Sequence, residues 1–133
     1  MSAPTILIIE DNPLNVELAT DLLEAGGFVI YSSGSAEDGI RRAQELFPDL
    51  VLMDIGLPGM DGLCATKALK TNPATAHLPV VGLTAHAMKG DEGIALTAGC
   101  DGYLTKPIDT RNFVALVKDF IAIHTQKLRT NAN

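Results

Sequence analysis

The sequence predicts a single α/β domain built on a doubly wound parallel sheet, and three observations lead to that class. The chain has 133 residues, which is enough for one domain with a real core and too few for two. Short apolar runs that end in loop signals, as buried strands do, alternate along the chain with helical patterns. Apolar residues make up 47% of the chain and charged residues 20%, as in an ordinary globular protein.

The first strand and helix have the clearest signals. Residues 5–9 form a continuous apolar, β-branched run, which predicts a strand buried on both faces. Asn12 and Pro13 then supply a capping residue and a proline at the first helical position. The helix is expected to end at Gly26-Gly27. Leucines at helical spacing predict an apolar stripe along it: Leu14, Leu18 and Leu22.

The second and third units are read in the same way. Residues 28–31 are predicted to be the second strand. Ser35 caps the second helix, and Asp38 stands three residues later, close to a capping-box arrangement. Pro48-Asp49 ends that helix, and residues 50–53 form the third strand.

The second half of the chain repeats the alternation with weaker signals. A third helix runs through Leu63, Lys67 and Leu69 and stops at Asn72-Pro73, and residues 78–83 form the fourth strand. Residues 88–97 predict a weak fourth helix, because each of its two glycines costs about 1 kcal/mol relative to alanine. Residues 103–105 form the fifth strand. The last helix starts near residue 110, and the polar segment after His124 is expected to fray.

Five strands alternating with five helices imply parallel pairing with right-handed crossovers. For five such units the flavodoxin-like (βα)5 fold, with strand order 2-1-3-4-5, is the expected topology. Its switch point lies between strands 1 and 3, where ligands of such sheets bind. We expect residues 1–133 to be one domain, with a core of about residues 4–123.

Charge and composition exclude several classes of partner. The net charge of −6, with scattered lysines and arginines, argues against a nucleic-acid-binding surface. No apolar run approaches the roughly 20 residues of a membrane span, and the N-terminus lacks the features of a signal peptide. Cys64 and Cys100 are too few for a disulfide framework and have no metal-ligand spacing. We interpret them as reduced thiols in a cytoplasmic protein.

Charged residues follow three of the predicted strands, and the sheet should bring them to one edge. Glu10 and Asp11 follow strand 1, Asp54 follows strand 3, and Lys106 follows strand 5. Two like charges about 4 Å apart repel by about 4 kcal/mol at an effective dielectric near 20, so the carboxylates favour a cation among them. Mg²⁺ commonly uses one or two carboxylates and several waters, and Mn²⁺ could replace it. The alternative is that Glu10 and Asp11 only cap the first helix, which would leave Asp54 and Lys106 unexplained.

Asp54 is the candidate reactive group. It ends an apolar strand, where aspartate has a poor β-propensity. Its carboxylate either forms an ion pair with Lys106 or acts as a nucleophile toward phosphorus, and the two roles are compatible. Lys106 would then neutralise a phosphoryl oxygen, and the hydroxyl of Thr84, at the end of strand 4, could donate to another.

The motifs around these residues resemble the receiver domain of two-component response regulators, of the stand-alone CheY-like and DivK-like type. The resemblance covers roughly residues 4–123. The matching motifs are Ile-Ile-Glu10-Asp11-Asn, Leu-Met-Asp54-Ile-Gly-Leu-Pro58-Gly-Met-Asp-Gly62, Leu-Thr84-Ala85 and Tyr103-Leu-Thr-Lys106-Pro107. The segment from Thr84 to Glu92 is most similar to DivK-type receivers, and similar segments also occur in receivers of hybrid kinases.

The resemblance implies a role for each site residue. Asp54 would accept a phosphoryl group from a histidine kinase or a histidine phosphotransfer protein. The Mg²⁺ ligands, direct or through water, would be Glu10, Asp11, Asp54 and the backbone carbonyl of Gly56. Thr84 and Lys106 would bind phosphoryl oxygens, and Thr84 and Tyr103 would be the switch residues. The Lys106-Pro107 peptide bond is expected to be cis, which the tertiary amide makes accessible.

Two positions are expected to tune the lifetime of the phosphorylated state. Gly56, two residues past Asp54, has no side chain to shield the acyl phosphate, and His86, two past Thr84, is bulky and titratable. The resemblance places the output surface on the fourth helix, fifth strand and last helix. The downstream target would be a separate protein, and a phosphorylation-dependent dimer remains open.

Other functions were weighed against this one. A haloacid dehalogenase-type phosphatase needs an acid two residues after its nucleophile, where this chain has Gly56, so a multiple-turnover enzyme is not expected. A flavodoxin-type FMN protein needs a Ser/Thr-rich loop after strand 1, and a dinucleotide site needs a Gly-x-Gly-x-x-Gly there. A phosphorylation-independent adaptor with a receiver fold, or a receiver excised from a larger regulator or hybrid kinase, remains the alternative.

Overall fold

The structure is a computed structural model that describes residues 3–55, 62–84, 99–106 and 108–131. Five strands and four helices lie within those residues. The strands are β1 (Thr5–Ile9), β2 (Val29–Ser33), β3 (Leu50–Asp54), β4 (Val80–Thr84) and β5 (Gly102–Thr105). The helices are α1 (Pro13–Ala25), α2 (Ala36–Leu46), α3 (Gly62–Thr71) and, at the C-terminal end, α4 (Phe113–Asn131).

The sheet confirms the predicted topology. All four strand pairings are parallel, and the order is β2-β1-β3-β4-β5. Ile9 lies level with Met53, so the residues that follow them, Glu10 and Asp54, meet at the carboxyl ends of the two central strands. Asp54 in turn lies level with Leu83 of β4. The switch point between β1 and β3 therefore carries acidic side chains from two segments that are distant in sequence.

The core has one apolar layer on each face of the sheet. One layer packs beneath α2 and α3 around Leu7, Ile9, Val51 and Met53. The other packs beneath α1 and α4 around buried side chains that include Ile6, Ile8, Leu52, Val81 and Phe113. Residues 6–9 are almost completely buried, as expected for a strand covered on both faces. The central strands therefore form a rigid support for whatever follows their carboxyl ends.

The leucine stripe predicted for α1 is not its core face. Leu14 is 73% exposed and Leu18 38% exposed, whereas Ala19 and Leu23 are buried. Each four-residue step along a helix rotates by about 40° beyond a full turn, so leucines at i, i+4 and i+8 drift around the surface. The sheet selects the line through Ala19 and Leu23, and the first two leucines remain at the surface.

Element boundaries differ from the predictions by a few residues, as hydrogen bonds rather than composition decide them. The second strand begins at Val29 and runs to Ser33, and the fourth begins at Val80. The C-terminal helix begins at Phe113, after an Asp109 carboxylate that accepts from the Arg111 backbone N–H at 3.0 Å. It extends past His124 to Asn131, through a segment that contains good helix formers and neither glycine nor proline.

The outer edge of β2 is covered by a side chain. The Arg42 guanidinium of α2 lies over the Tyr31 ring, 5.7 Å from its centroid, and donates to the backbone carbonyl of Ser32. An open strand edge is otherwise a template for pairing with another chain. Arg42 therefore protects this edge of the sheet.

Several predictions concern residues outside the described ranges. The fourth predicted helix, residues 88–97, and the loop that contains Gly56 are among them, as are His86 and Pro107. Cys64 is exposed and Cys100 is buried, and the structure shows no disulfide bond between them. In the described part of the chain, no helix combines the length and apolarity that crossing a membrane requires.

Candidate functional site

Three carboxylates converge at the carboxyl ends of β1 and β3. Glu10 is 3% exposed and Asp54 6% exposed, whereas Asp11 is exposed. Each of the three offers an oxygen that lies within 4.8 Å of the other two. The structure thus brings together the acidic residues that the sequence predicted to meet. Together with Lys106 they are called the carboxylate cluster below.

Lys106 supplies the positive charge of the carboxylate cluster. Its Nζ lies 2.7 Å from Glu10 Oε2 and 3.3 Å from Asp54 Oδ1. The backbone N–H of Lys106 donates to the carbonyl of Thr84 at 2.7 Å, which holds the end of β5 beside the end of β4. The predicted ion pair with Asp54 is therefore present, and the lysine contacts a second carboxylate as well.

The two oxygens of the Glu10 carboxylate have different surroundings. Oε1 accepts from the backbone N–H of Asn12 at 3.2 Å and from the Asn15 side-chain amide at 3.4 Å. Oε2 is buried and forms an ion pair with the Lys106 ammonium, whose Nζ lies 2.7 Å away. Glu10 therefore both caps the first helix and takes part in the charged site, the two roles that the sequence left open. One oxygen caps the first helix, and the other faces the site.

The electrostatics of the carboxylate cluster favour bound positive charge. Burial raises the pKa of Glu10 above its usual value, and the nearby Asp54 charge adds to that effect, although Lys106 opposes it. Burial alone would lower the pKa of Lys106, but its contact with Glu10 and the Asp54 charge outweigh burial and raise it. Both raised pKa values favour the protonated form of the side chain, as expected where carboxylates outnumber cations.

The donor set fits a hard divalent cation such as Mg²⁺. The cluster offers one ligand oxygen from each of three carboxylates, and one ammonium group lies beside two of them. Three carboxylates near one lysine repel one another unless a further cation lies among them. Oxygen ligands at this number and spacing leave positions for water and phosphate oxygens around Mg²⁺. The fourth predicted ligand, the Gly56 carbonyl, lies outside the described residues.

The structure also locates the candidate switch residues. Thr84 ends β4, is 7% exposed and lies level with Thr105 of β5. Tyr103 lies level with Gly82 and is partly buried. Thr84 thus stands one residue beyond the level of Asp54, on the neighbouring strand. This is the location expected for a hydroxyl that contacts a group attached to Asp54.

Close backbone packing holds the end of β3. The Gly62 N–H donates to the Ile55 carbonyl at 3.3 Å, and a Cβ at Gly62 would clash with the Asp54 carbonyl. Only glycine allows α3 to begin this close to the strand end. The motif that contains Gly62 does not by itself indicate this packing. Asn15 is a further residue of the site, and its only sequence signal is its position in the first turn of a capped helix.

The chemistry follows from these contacts. Asp54 is a buried carboxylate beside an ammonium group, within an acidic cluster that can hold a divalent cation. A cation and a lysine at one side of a carboxylate lower the repulsion between that carboxylate and an incoming phosphoryl group. The arrangement is therefore suited to phosphoryl transfer to an aspartate.

Comparisons with known proteins agree with this site. The sequence profile of the response regulator receiver domain matches residues 6–118. The polar-differentiation response regulator DivK of Brucella ovis is 42% identical over 117 residues, which cover 88% of this chain and 95% of that protein. A putative response regulator from Chloroflexus aurantiacus is 29% identical with a TM-score of 0.86, and the match covers 92% of this chain and 99% of that one.

One solved relative contains a metal ion. It is the receiver domain of a sensor histidine kinase from Pseudomonas aeruginosa PAO1, whose crystal structure has a magnesium ion coordinated in the active-site cleft. It is 30% identical to this chain with a TM-score of 0.83, and the match covers 91% of this chain and 99% of that one. With the 2-1-3-4-5 sheet and the acidic cluster at its switch point, these matches show that the chain belongs to the response regulator receiver domain family, whose members signal in two-component systems.

Proposed function

We propose that this chain accepts a phosphoryl group on Asp54, from a histidine kinase or a histidine phosphotransfer protein, in a Mg²⁺-dependent reaction. The observation that supports this most is the buried Asp54 carboxylate, which lies 3.3 Å from Lys106 Nζ and within an acidic cluster. The cation would be held by Glu10, Asp11 and Asp54, with the Gly56 carbonyl as the remaining ligand predicted. Mn²⁺ is expected to substitute.

The reaction conserves charge and atoms in a simple way. An oxygen of Asp54 attacks the phosphorus of a phosphohistidine, a new P–O bond forms, and the P–N bond breaks. The electron pair of that bond stays on the imidazole, which takes up a proton. When bound, the metal ion would neutralise charge on the phosphoryl oxygens. Lys106 would bind one phosphoryl oxygen as a point charge, and the Thr84 hydroxyl would donate to another.

The surface beside the site is suited to a phosphodonor protein. Leu14 and Leu18 are exposed on α1, and Leu18 lines a pocket of about 50 Å³ together with Lys106 and Ile108. Exposed apolar side chains beside a reactive group offer contact area that a donor protein could cover. We place the contact with the donor on this side of the molecule. A cytoplasmic location is part of the proposal, in keeping with the reduced state expected for the two cysteines of the chain.

Output is proposed to occur through contacts with another protein. Phosphorylation adds about −1.5 to −2 charges, and Thr84 and Tyr103 would rearrange in response. The resulting change in population would be transmitted to the output surface that the family resemblance implies, which consists of the fourth predicted helix, β5 and α4. Which target binds there, and whether a second copy of the chain does, is left to experiment. Multiple turnover on other phosphate esters is not part of the proposal, because Gly56 offers no acid for a leaving group.

Incubation with acetyl phosphate and Mg²⁺, followed by intact-mass measurement, tests the proposal. The chain is expected to gain one phosphoryl group, and Asp54→Asn, which keeps the size of the side chain, is expected to gain none. Removing Mg²⁺ with EDTA should prevent the gain in wild type. A wild-type chain that stays unmodified while it remains folded would instead support a phosphorylation-independent adaptor.

The lifetime of the modified state is a separate expectation. Gly56 and His86 are proposed to set the rate of loss of the phosphoryl group. Gly56→Asn and His86→Ala are therefore expected to change the autodephosphorylation rate. If both variants decay at the wild-type rate, these positions have no such role.

A further inference from the structure

The two carboxylate oxygens of Glu10 contact different parts of the molecule, because one faces α1 and the other faces the site. The Asn15 side chain contributes to this arrangement. Oε1 is held from the side of α1 by the Asn12 N–H at 3.2 Å and the Asn15 amide at 3.4 Å. Oε2 is turned toward Lys106, whose Nζ lies 2.7 Å away. Asn15 is the only side-chain hydrogen-bond donor to Oε1 among the described residues.

The position of Asn15 in α1 explains how it reaches back to Glu10. Asn12 is the N-cap and accepts from the Leu14 N–H, and Pro13 and Leu14 are the first two helical residues. Asn15 is therefore the third, and in a capping box the side chain at that position reaches back to the N-cap backbone N–H. Here Glu10 accepts that N–H instead, and the amide of Asn15 donates to the same oxygen. The start of α1 and the Glu10 carboxylate are therefore connected through one atom, Glu10 Oε1.

Asn15 and Lys106 hold the Glu10 carboxylate from opposite oxygens. Asn15, Glu10 and Lys106 all line the same small pocket, whose remaining walls are mostly apolar. Glu10 is 3% exposed, so the orientation of its carboxylate depends mainly on contacts with protein groups. Without the Asn15 amide, rotation of the carboxylate away from the site is opposed at Oε1 only by the Asn12 N–H.

We propose that Asn15 is a positioning residue that orients the Glu10 carboxylate, so that Oε2 faces the divalent cation, and thereby strengthens cation binding. This inference rests on the proposed function, because it concerns the cation that the carboxylate cluster would hold. Asn15 itself does not contact the phosphoryl group or the reacting oxygen of Asp54. Residues that orient a metal ligand in this way commonly change metal affinity by about 10–100-fold when they are replaced.

Asn15→Leu tests the inference, because it removes the amide and keeps the approximate size of the side chain. Leucine is a better helix former than asparagine, so α1 is not weakened by the change. Mg²⁺ affinity, measured by calorimetric titration, is expected to fall about tenfold, at the lower end of the usual range because the hydrogen bond is long. The melting temperature in EDTA should stay within a few degrees of wild type, which separates positioning from unfolding.

Asn112→Leu is a matched control. The Asn112 amide also donates to a carboxylate near the start of a helix, that of Asp109, at 3.0 Å. This pair lies just before α4 and outside the carboxylate cluster. The same substitution at that position is expected to leave Mg²⁺ affinity at the wild-type value. Equal losses of affinity in both variants would contradict a specific role for Asn15.

The rate of phosphorylation by acetyl phosphate gives a second readout. In Asn15→Leu, the Mg²⁺ concentration for half-maximal rate should rise about tenfold, in step with the affinity, while the maximal rate stays near wild type. A merely structural defect would lower the maximal rate and the melting temperature together. If Asn15→Leu binds Mg²⁺ within twofold of wild type, the inference is wrong while the proposed function stands. If wild type neither binds Mg²⁺ nor gains a phosphoryl group, the proposed function itself fails.

Discussion

Two charged groups, at opposite ends of the sheet, show how a structural ion pair differs from a functional one. At the start of β4 and β5, Lys70 Nζ donates to the Asp101 carboxylate at 2.8 Å and to the Leu78 carbonyl at 2.7 Å. Asp101 Oδ2 also accepts from the Val80 N–H at 2.8 Å. This strand-start ion pair has one charge of each sign, and short hydrogen bonds join both side chains to the backbone.

The carboxylate cluster at the other end is unbalanced. Three carboxylates face one lysine there, so acidic groups outnumber basic ones. Both groups pair a lysine with a carboxylate, but only the strand-start ion pair has equal numbers of positive and negative charges. The balanced pair stabilises the fold without any further ion, whereas the carboxylates of the unbalanced cluster repel one another, and a bound cation would relieve that repulsion.

Removing a carboxylate from the cluster should have the largest effect. Asp11→Asn is expected to weaken Mg²⁺ binding by at least about 100-fold, because loss of a ligand costs more than loss of a residue that only orients one. The fold should be retained, since Asp11 is exposed. Calorimetric titration and the thermal stabilisation by Mg²⁺ measure this, and an unchanged affinity would show that the cation binds elsewhere.

Breaking the strand-start ion pair should have the opposite pattern. Asp101→Ala leaves the Val80 N–H without its side-chain acceptor and leaves the Lys70 ammonium with the Leu78 carbonyl but no carboxylate, which is expected to lower the free energy of unfolding by about 1–3 kcal/mol. Mg²⁺ affinity should stay at the wild-type value because the two groups lie at opposite ends of the sheet. Denaturant unfolding and metal titration check the two parts, and a joint loss would contradict the separation.

In the metal-free protein, Lys106 is expected to supply part of the positive charge that the cation would provide. Lys106→Met is expected to lower the free energy of unfolding by about 1–2 kcal/mol in EDTA, because Glu10 and Asp54 lose their nearby positive charge. Saturating Mg²⁺ should restore most of that loss. Unfolding of wild type and variant with and without metal gives the comparison. A deficit of equal size in both conditions would mean that the lysine matters for packing rather than for charge.

The smallest expected effect is a pH dependence. Burial raises the folded-state pKa of Glu10 above its usual 4.5, so the folded chain binds this proton more tightly than the unfolded chain does. Metal-free stability should therefore fall as pH rises from about 4.5 through the raised value, by at most about 1.4 kcal/mol per pH unit. The pKa of Lys106 is raised from 10.5, so the stability it contributes is lost only in the alkaline range.

Glu10→Gln removes the group responsible for the acidic part of this profile. Denaturant unfolding in EDTA across pH 4.5–7 should then lose the falling component that wild type shows. A wild-type profile that rises steadily through the same window would mean that Glu10 is not the group that holds the proton.

Local patterns predicted the strands and most helix ends because they depend on neighbouring residues. The β-branched run of residues 5–9 and the Asn12-Pro13 cap behave as their types dictate. The leucine stripe of α1 failed because the direction of a helix face is set by the layer it packs against, which spacing alone does not specify. The C-terminal helix extends to Asn131 because polar composition does not by itself prevent helix formation.

By itself, the sequence determined which residues end the strands, and hence that Glu10, Asp11, Asp54 and Lys106 would meet at one edge. Parallel pairing in the order 2-1-3-4-5 makes that outcome a matter of topology. Only the tertiary structure decided which oxygen each donor contacts: Glu10 Oε1 faces α1, and Oε2 faces Lys106. That division arises because α1 and β5 approach the carboxylate from two sides, and no sequence spacing encodes the angle at which they do so.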